Sequence, residues 1–233
     1  MCKCVILNGT MQKEGIAMEE SWKCGLRISW YLIGPLLLYA LVNECMILFW
    51  TRLTESASAH PGRIPASVPA AAAGAFVLWV WYRKQNEGRR KARLSWTQCL
   101  GIIAAAAVSC ILLNHLLVFL GISSEGYDKV KGMVFELDLI WQIAGSGILI
   151  PLAEELVFRG LGYQRLRREM NALPAAVITA MLFALYHGNL IQGIYAFLMG
   201  LLLTFVCEIY GSLSAAWLFH AAANFTAILL TVI

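Results

Sequence analysis

Apolar runs long enough to cross a bilayer set the terms on which this chain can fold. Laid against the ~20 residues that a helix needs to traverse a ~30 Å hydrocarbon core, they fall at about 28–50, 65–81, 99–122, 137–158, 173–187, 190–209 and 212–233, the fifth being short. The pattern predicts an all-α fold, a polytopic transmembrane helical bundle of about seven spans. Composition agrees, since 60% of the 233 residues are hydrophobic and only 14% are charged, too apolar for a domain whose surface must face water. Residues 1–27 read as a polar cytoplasmic leader, in which Met11 and Met18 are alternative starts, and 28–233 as one bundle. There is no internal repeat, low-complexity tract or soluble domain in the pattern. The first apolar stretch is itself long enough to cross, so it reads as a span and not as a secretory signal.

The positive charges orient this layout, because cytoplasmic segments carry the excess of Lys and Arg. Of 18 basic residues, the leader, the 82–93 segment and the segment after the fourth run hold 14, and the two intervening loops hold Arg52, Arg63, Lys129 and Lys131. The amino terminus is therefore expected in the cytoplasm and the carboxy terminus outside. "YRKQNEGRRKAR", residues 82–93, resembles a nucleic-acid patch in composition, but its place between two spans makes it a topogenic anchor. No nucleic-acid partner is expected; the bilayer is. The net charge of +4 has the same origin and by itself implies no anionic partner. The seven cysteines show neither paired nor metal-ligand spacing, apart from Cys2 and Cys4 in the leader. Cys45, Cys99, Cys110 and Cys207 lie in apolar surroundings and read as packing residues.

Within the fourth run, "PLAEELVFRG" (151–160) sets two glutamates side by side. On a helix they point about 100° apart, so they cannot share one job. Arg159 follows Glu155 by four residues, the order and spacing at which acid and base meet on a helical face. Glu154 has no such local partner, and intramembrane ionisable groups face the bundle interior or an aqueous cavity. The plain alternative is that these are snorkelling residues at the end of a span.

Two of the four histidines fall in late apolar runs: His187 in "LFALYHGNL" and His220 in "WLFHAAANF". Asn224 follows His220 by four residues and Phe183 precedes His187 by four, so each pair shares a helical face. A single membrane histidine is ordinarily a helix–helix hydrogen bond. Two histidines, an asparagine and an unpaired glutamate in three spans suggest a buried polar centre. His60 reads as a loop residue and His115, beside Asn114, as packing. Glu44, next to Asn43 in the first run, is a further acid without an evident partner and a possible contributor to the site.

Apolar surroundings make a carboxylate a stronger general base near neutral pH. Glu154 could take the proton of a water that a histidine orients, while N–H donors of His220 and Asn224 face a developing oxyanion. That set suits amide hydrolysis without a serine or cysteine nucleophile, and with no cofactor. Glu154, His187 and His220 are also a possible zinc set. Against zinc, HExxH does not occur, and Asn224 is a poor zinc ligand but a good donor.

These residues resemble a known family. "EELVFR" is similar to the EExxxR motif, "FALYH" to FxxxH and "HAAAN" to HxxxN of the CAAX protease and bacteriocin-processing family of intramembrane endopeptidases, which includes the Ras-converting CAAX prenyl protease. Each motif is short; their order and placement on apolar helices make the combination specific. The resemblance runs from about residue 148 to the end, within a protease core at about 137–233, and the first three runs carry nothing diagnostic. It implies that Glu154 and His187 activate water, that His220 and Asn224 support the oxyanion, and that Glu155 and Arg159, with Phe183 beside His187, support the site. It implies a peptide or membrane-protein substrate, lipidated ones included, and favours the bacterial members of the plasma membrane, linked to peptide or bacteriocin maturation and immunity.

One difficulty attends the layout. If the fourth span ends near 158, Glu154 lies about one turn from its cytoplasmic end, whereas His187 lies ~20 Å along the fifth. Tilt, a kink, or a fifth helix starting outside the bilayer within "QRLRREMNALP" (164–174), where Pro174 suits a first turn, would bring them level. A proton- or ion-coupled transporter and a non-catalytic scaffold are the readings from other classes.

Overall fold

The computed structural model describes residues 11–55, 64–86, 92–121 and 137–232. His60, Cys2, Cys4 and the loop basics Arg63, Arg89, Arg90, Lys91, Lys129 and Lys131 lie outside the described residues. Among those described there are seven helices and no strand: α1 (Met11–Glu55), α2 (Ser67–Gln85), α3 (Trp96–Phe119), α4 (Leu139–Glu169), α5 (Ala172–Tyr186), α6 (Leu190–Tyr210) and α7 (Leu213–Val232). Each apolar run becomes one helix. Five segments are long and apolar enough to cross a membrane, namely Gly25–Thr54, Trp96–Phe119, Leu139–Glu169, Leu190–Tyr210 and Leu213–Leu230, while α5 is apolar but shorter. The chain is a multi-pass membrane protein.

Local sequence explains several boundaries. Ser95 caps α3 with a reciprocal pair: its Oγ accepts from the Gln98 N–H at 3.3 Å, and its own N–H donates to Gln98 Oε1 at 2.8 Å, so two otherwise orphaned donors are satisfied. Asn189 caps α6, accepting from the Gln192 N–H at 2.8 Å. Gly188 (φ 73°) and Gly211 (φ 55°) reverse the chain after α5 and α6 in left-handed geometry that a side chain would strain.

Two boundaries differ from expectation. Helix α1 begins inside the expected leader, at Met11. Helix α4 does not stop near 158 but runs on to Glu169, because Leu161 and Leu166, both fully buried, continue its apolar face past Arg159. It is also not regular. Wide i→i+5 turns over Gln142–Leu149 and Leu156–Tyr163 flank the short α-helical stretch Ile150–Glu155. Pro151 has no N–H to donate and its ring would meet the carbonyl four residues back; the widened turn immediately before it relieves that conflict.

Helix α4 threads between three pairs, α1 with α2, α3 with α7, and α5 with α6. Its Ala153, Leu156 and Leu161 meet Leu78, Ala106, Leu203 and Ala215 in a fully buried core. Small residues bring backbones close, as in other membrane bundles: a Cβ on Gly74 would lie 2.6 Å from the Tyr39 ring, and one on Gly200 3.2 Å from Ala180 Cβ. Large apolar side chains on the outer faces of α1 and α3, such as Leu41, Leu48, Leu112 and Val118, are exposed, as lipid contact requires.

Candidate active site

Glu155 and Arg159 lie on α4 with no exposure at all, and Glu154 is 6% exposed. The i,i+4 pair forms: Arg159 Nη1 donates to Glu155 Oε1 at 2.8 Å. Arg159 Nη2 reaches across to α6 and donates to the Gly200 carbonyl at 2.9 Å. The guanidinium lies 4.7 Å from the centre of the Phe183 ring on α5. These residues sit ten or more positions before the end of α4, so the snorkelling alternative does not describe them.

His220 on α7 joins the two glutamates. Its Nδ1 donates to Glu155 Oε1 at 2.8 Å, and its Nε2 lies 3.7 Å from Glu154 Oε2. Arg159 and His220 thus share Glu155 Oε1, while Glu155 Oε2 is buried without a hydrogen-bond partner; Glu154 points away from Arg159 toward the two histidines, in line with the 100° offset.

His187 follows the last residue of α5, half-buried. Its Nδ1 lies 2.7 Å from the Phe183 carbonyl, which only an N–H can satisfy, so the Nε2 of the neutral ring carries the lone pair. Glu154 lies within Coulombic reach of His187 and His220. The Phe183 ring meets His187 edge-on at 4.7 Å, His220 at 5.8 Å and Phe158 at 5.0 Å. Expected as a shelf for His187 alone, it is the common wall of the cluster. Asn224 donates from Nδ2 to the Ser146 carbonyl at 2.9 Å, in the first wide turn of α4. One of its two N–H bonds is thereby committed to the backbone.

The depth difficulty resolves through α4. Glu154 lies 15 residues before Glu169, and His187 lies 15 residues after Ala172, on either side of the two-residue α4–α5 connection. All of "QRLRRE" belongs to α4, not to an early start of the fifth helix. Glu44 stays on an exposed face of α1 and takes no part in the cluster, a correction to its reading as a contributor. His115 is exposed, its Nδ1 on the Ile111 carbonyl at 3.0 Å.

Two tyrosines join the site unannounced by any motif. Tyr39 of α1 is 5% exposed. Its hydroxyl interacts with that of Tyr186, and both feel the charge of Glu154. Tyr186 stands inside "FALYH" and could have been suspected; Tyr39 comes from a run with no diagnostic residue.

Among the described residues no three His, Cys, Asp or Glu side chains are placed to hold a metal ion. Cys110 and Cys207 are buried free thiols, Cys99 is half-buried and Cys45 exposed.

No curated protein and no solved structure matches the chain. A family model described as type II CAAX prenyl endopeptidase Rce1-like matches residues 136–226, a stretch that contains Glu154, Glu155, Arg159, Phe183, His187, His220 and Asn224. The part of the chain that builds this cluster is therefore similar to the type II CAAX prenyl endopeptidase Rce1-like family.

Proposed function

We propose that the chain is an intramembrane endopeptidase in which Glu154 activates water. The observation that carries this reading is the separation of two adjacent glutamates, Glu155 tied through Oε1 to both Arg159 and His220 and Glu154 left to face His220 and His187. In the reaction, water lies between Glu154 and the lone pair on His187 Nε2. Glu154 takes one proton as the water oxygen bonds to the carbonyl carbon of the substrate amide. His220 Nε2–H and the remaining Asn224 N–H stabilise the oxyanion. The proton then passes from Glu154 to the amide nitrogen, the C–N bond breaks, and a carboxylic acid and an amine leave. Glu155 and Arg159 hold His220 in place, and Phe183 holds both histidines.

The substrate class is a peptide or membrane-associated protein, lipidated carboxy-terminal peptides included. The distribution of basic residues supports a cytoplasmic amino terminus and an outside carboxy terminus in a bacterial plasma membrane, where maturation or immunity would be the setting.

The test is cleavage of a peptide library, with lipidated carboxy-terminal members, by detergent-purified wild type and Glu154→Gln, each with and without a chelator. The expected result is a fall in turnover of about 10²–10⁴-fold in the variant, with the chelator without effect on the wild type. Chelator-sensitive cleavage would move the role to a metal. Equal cleavage by both proteins, or a Glu154-dependent proton flux in liposomes without cleavage, would overturn the proposal.

A further inference from the structure

The basic end of the bundle holds a cavity of about 1250 Å³ that the Glu154 cluster does not line. Its walls come from the ends of α2 and α4, the approach to α3 and the α6–α7 turn. Among its described lining residues Glu208 is the one acid, and it is already engaged. Arg167 Nε and Nη2 donate to Glu208 Oε1 at 3.1 and 2.9 Å, and the Tyr163 hydroxyl donates to Oε2 at 2.9 Å. Four further cations, Arg83, Lys84, Arg93 and Arg168, border the same space and are exposed. They come from three separate segments, so the convergence is a product of the fold and not of one charged run. Arg83 is held against the wall, its guanidinium 5.3 Å from the centre of the Trp79 ring.

The wall also offers partly exposed apolar side chains, Leu152, Leu213 and Trp217. Leu152, partly exposed, precedes Arg168 by 16 residues on α4, so the apolar wall reaches roughly 24 Å along the helix from the charge. A soluble anion would use only the cations, and a neutral lipid only the wall. A molecule with a phosphate at one end and a hydrocarbon chain behind it uses both. We propose that this cavity binds an anionic phospholipid, its headgroup phosphate against Arg83, Lys84, Arg93 and Arg168 and an acyl chain along Leu152, Leu213 and Trp217. Basic pockets between helices at a membrane face have the chemistry for such headgroups.

Native mass spectrometry of the full chain in detergent tests this without reference to proteolysis, so its failure and that of the protease reading are distinguishable. The protein is incubated with equal amounts of phosphatidylglycerol and phosphatidylcholine of identical chains. The expected result is retention of phosphatidylglycerol over phosphatidylcholine by about tenfold or more, with each cation removed in Arg83→Gln/Lys84→Gln/Arg168→Gln weakening it about fivefold. Arg83→Lys/Arg168→Lys should keep the preference. Equal retention of the two lipids by wild type would overturn the proposal, and this comparison stands even where the triple variant fails to fold. So would a preference that survives in a folded triple variant. Displacement of the lipid by an equal concentration of glycerol 3-phosphate would show a site for a free anion instead.

Discussion

Arg159 donates to Glu155 Oε1 and to the Gly200 carbonyl, lies over the Phe183 ring and has no exposed surface. Removing one partner of such a buried pair is costly because the other charge stays behind without compensation. Arg159→Met is therefore expected to destabilise the fold by about 3–5 kcal/mol, read as a lower melting temperature in detergent. Arg159→Lys should fall between the two, because a single ammonium keeps the charge but cannot bridge Glu155 and Gly200 as a planar fork. A melting temperature in Arg159→Met equal to wild type would show that the pair does not hold the cluster. At this scale the sequence was most legible. Spacings of four residues encode contacts within one helix, and Glu155 with Arg159 and Phe183 with His187 are such contacts. The bonds from His220 to Glu155 and from Asn224 to Ser146 join residues 65 and 78 positions apart, which no local spacing announces.

Helices α5 and α6 meet where Gly200 leaves no room: a Cβ there would lie 3.2 Å from Ala180 Cβ and 3.3 Å from Phe183 Cδ1. Phe183 is the wall shared by Arg159, His187 and His220, so a methyl group at Gly200 would press on the whole cluster. Gly200→Ala is expected to cost about 1–3 kcal/mol by overpacking and to lower proteolytic turnover. Gly101 on α3 has nothing within 4 Å of an added Cβ, and Gly101→Ala should be neutral or stabilising by about 0.5–1 kcal/mol, since alanine suits a helix interior better. Equal melting temperatures and turnover for the two variants would remove the packing argument. Element ends were less legible than motifs. Arg159, Arg165, Arg167 and Arg168 read as the edge of the membrane, yet Arg159 is spent inside the bundle. Arg165 is buried beside the rings of Tyr31 and Trp81. The wide turns of α4 leave no periodic trace in the sequence, because they shift register by a single residue.

The chain order of seven helices puts the start of α1, α3, α5 and α7 and the end of α2, α4 and α6 at one face, the face that holds Arg83, Lys84, Arg93, Arg167 and Arg168. In the orientation we propose from the charge distribution, this face is the cytoplasmic one. Helix α5 has 15 residues, about 22 Å of rise against a ~30 Å hydrocarbon core, so a helix rooted at that face ends before it has crossed. His187 and the turn at Gly188 then lie within the membrane thickness, and under the proposed mechanism water and substrate reach them there. The orientation is open to direct measurement with single cysteines in a background freed of the native ones. Phe119→Cys, at the far end of α3 and 85% exposed in the native protein, should react with a membrane-impermeant thiol reagent in intact cells. Ser95→Cys, at the opposite end of the same helix and also exposed, should react only after the membrane is opened. The reverse pattern would place the basic face, its cavity and the α4–α5 connection outside the cell, where an excess of Lys and Arg would run against the rule that orients membrane helices. Protection of both positions in opened membranes would mean that α3 does not cross.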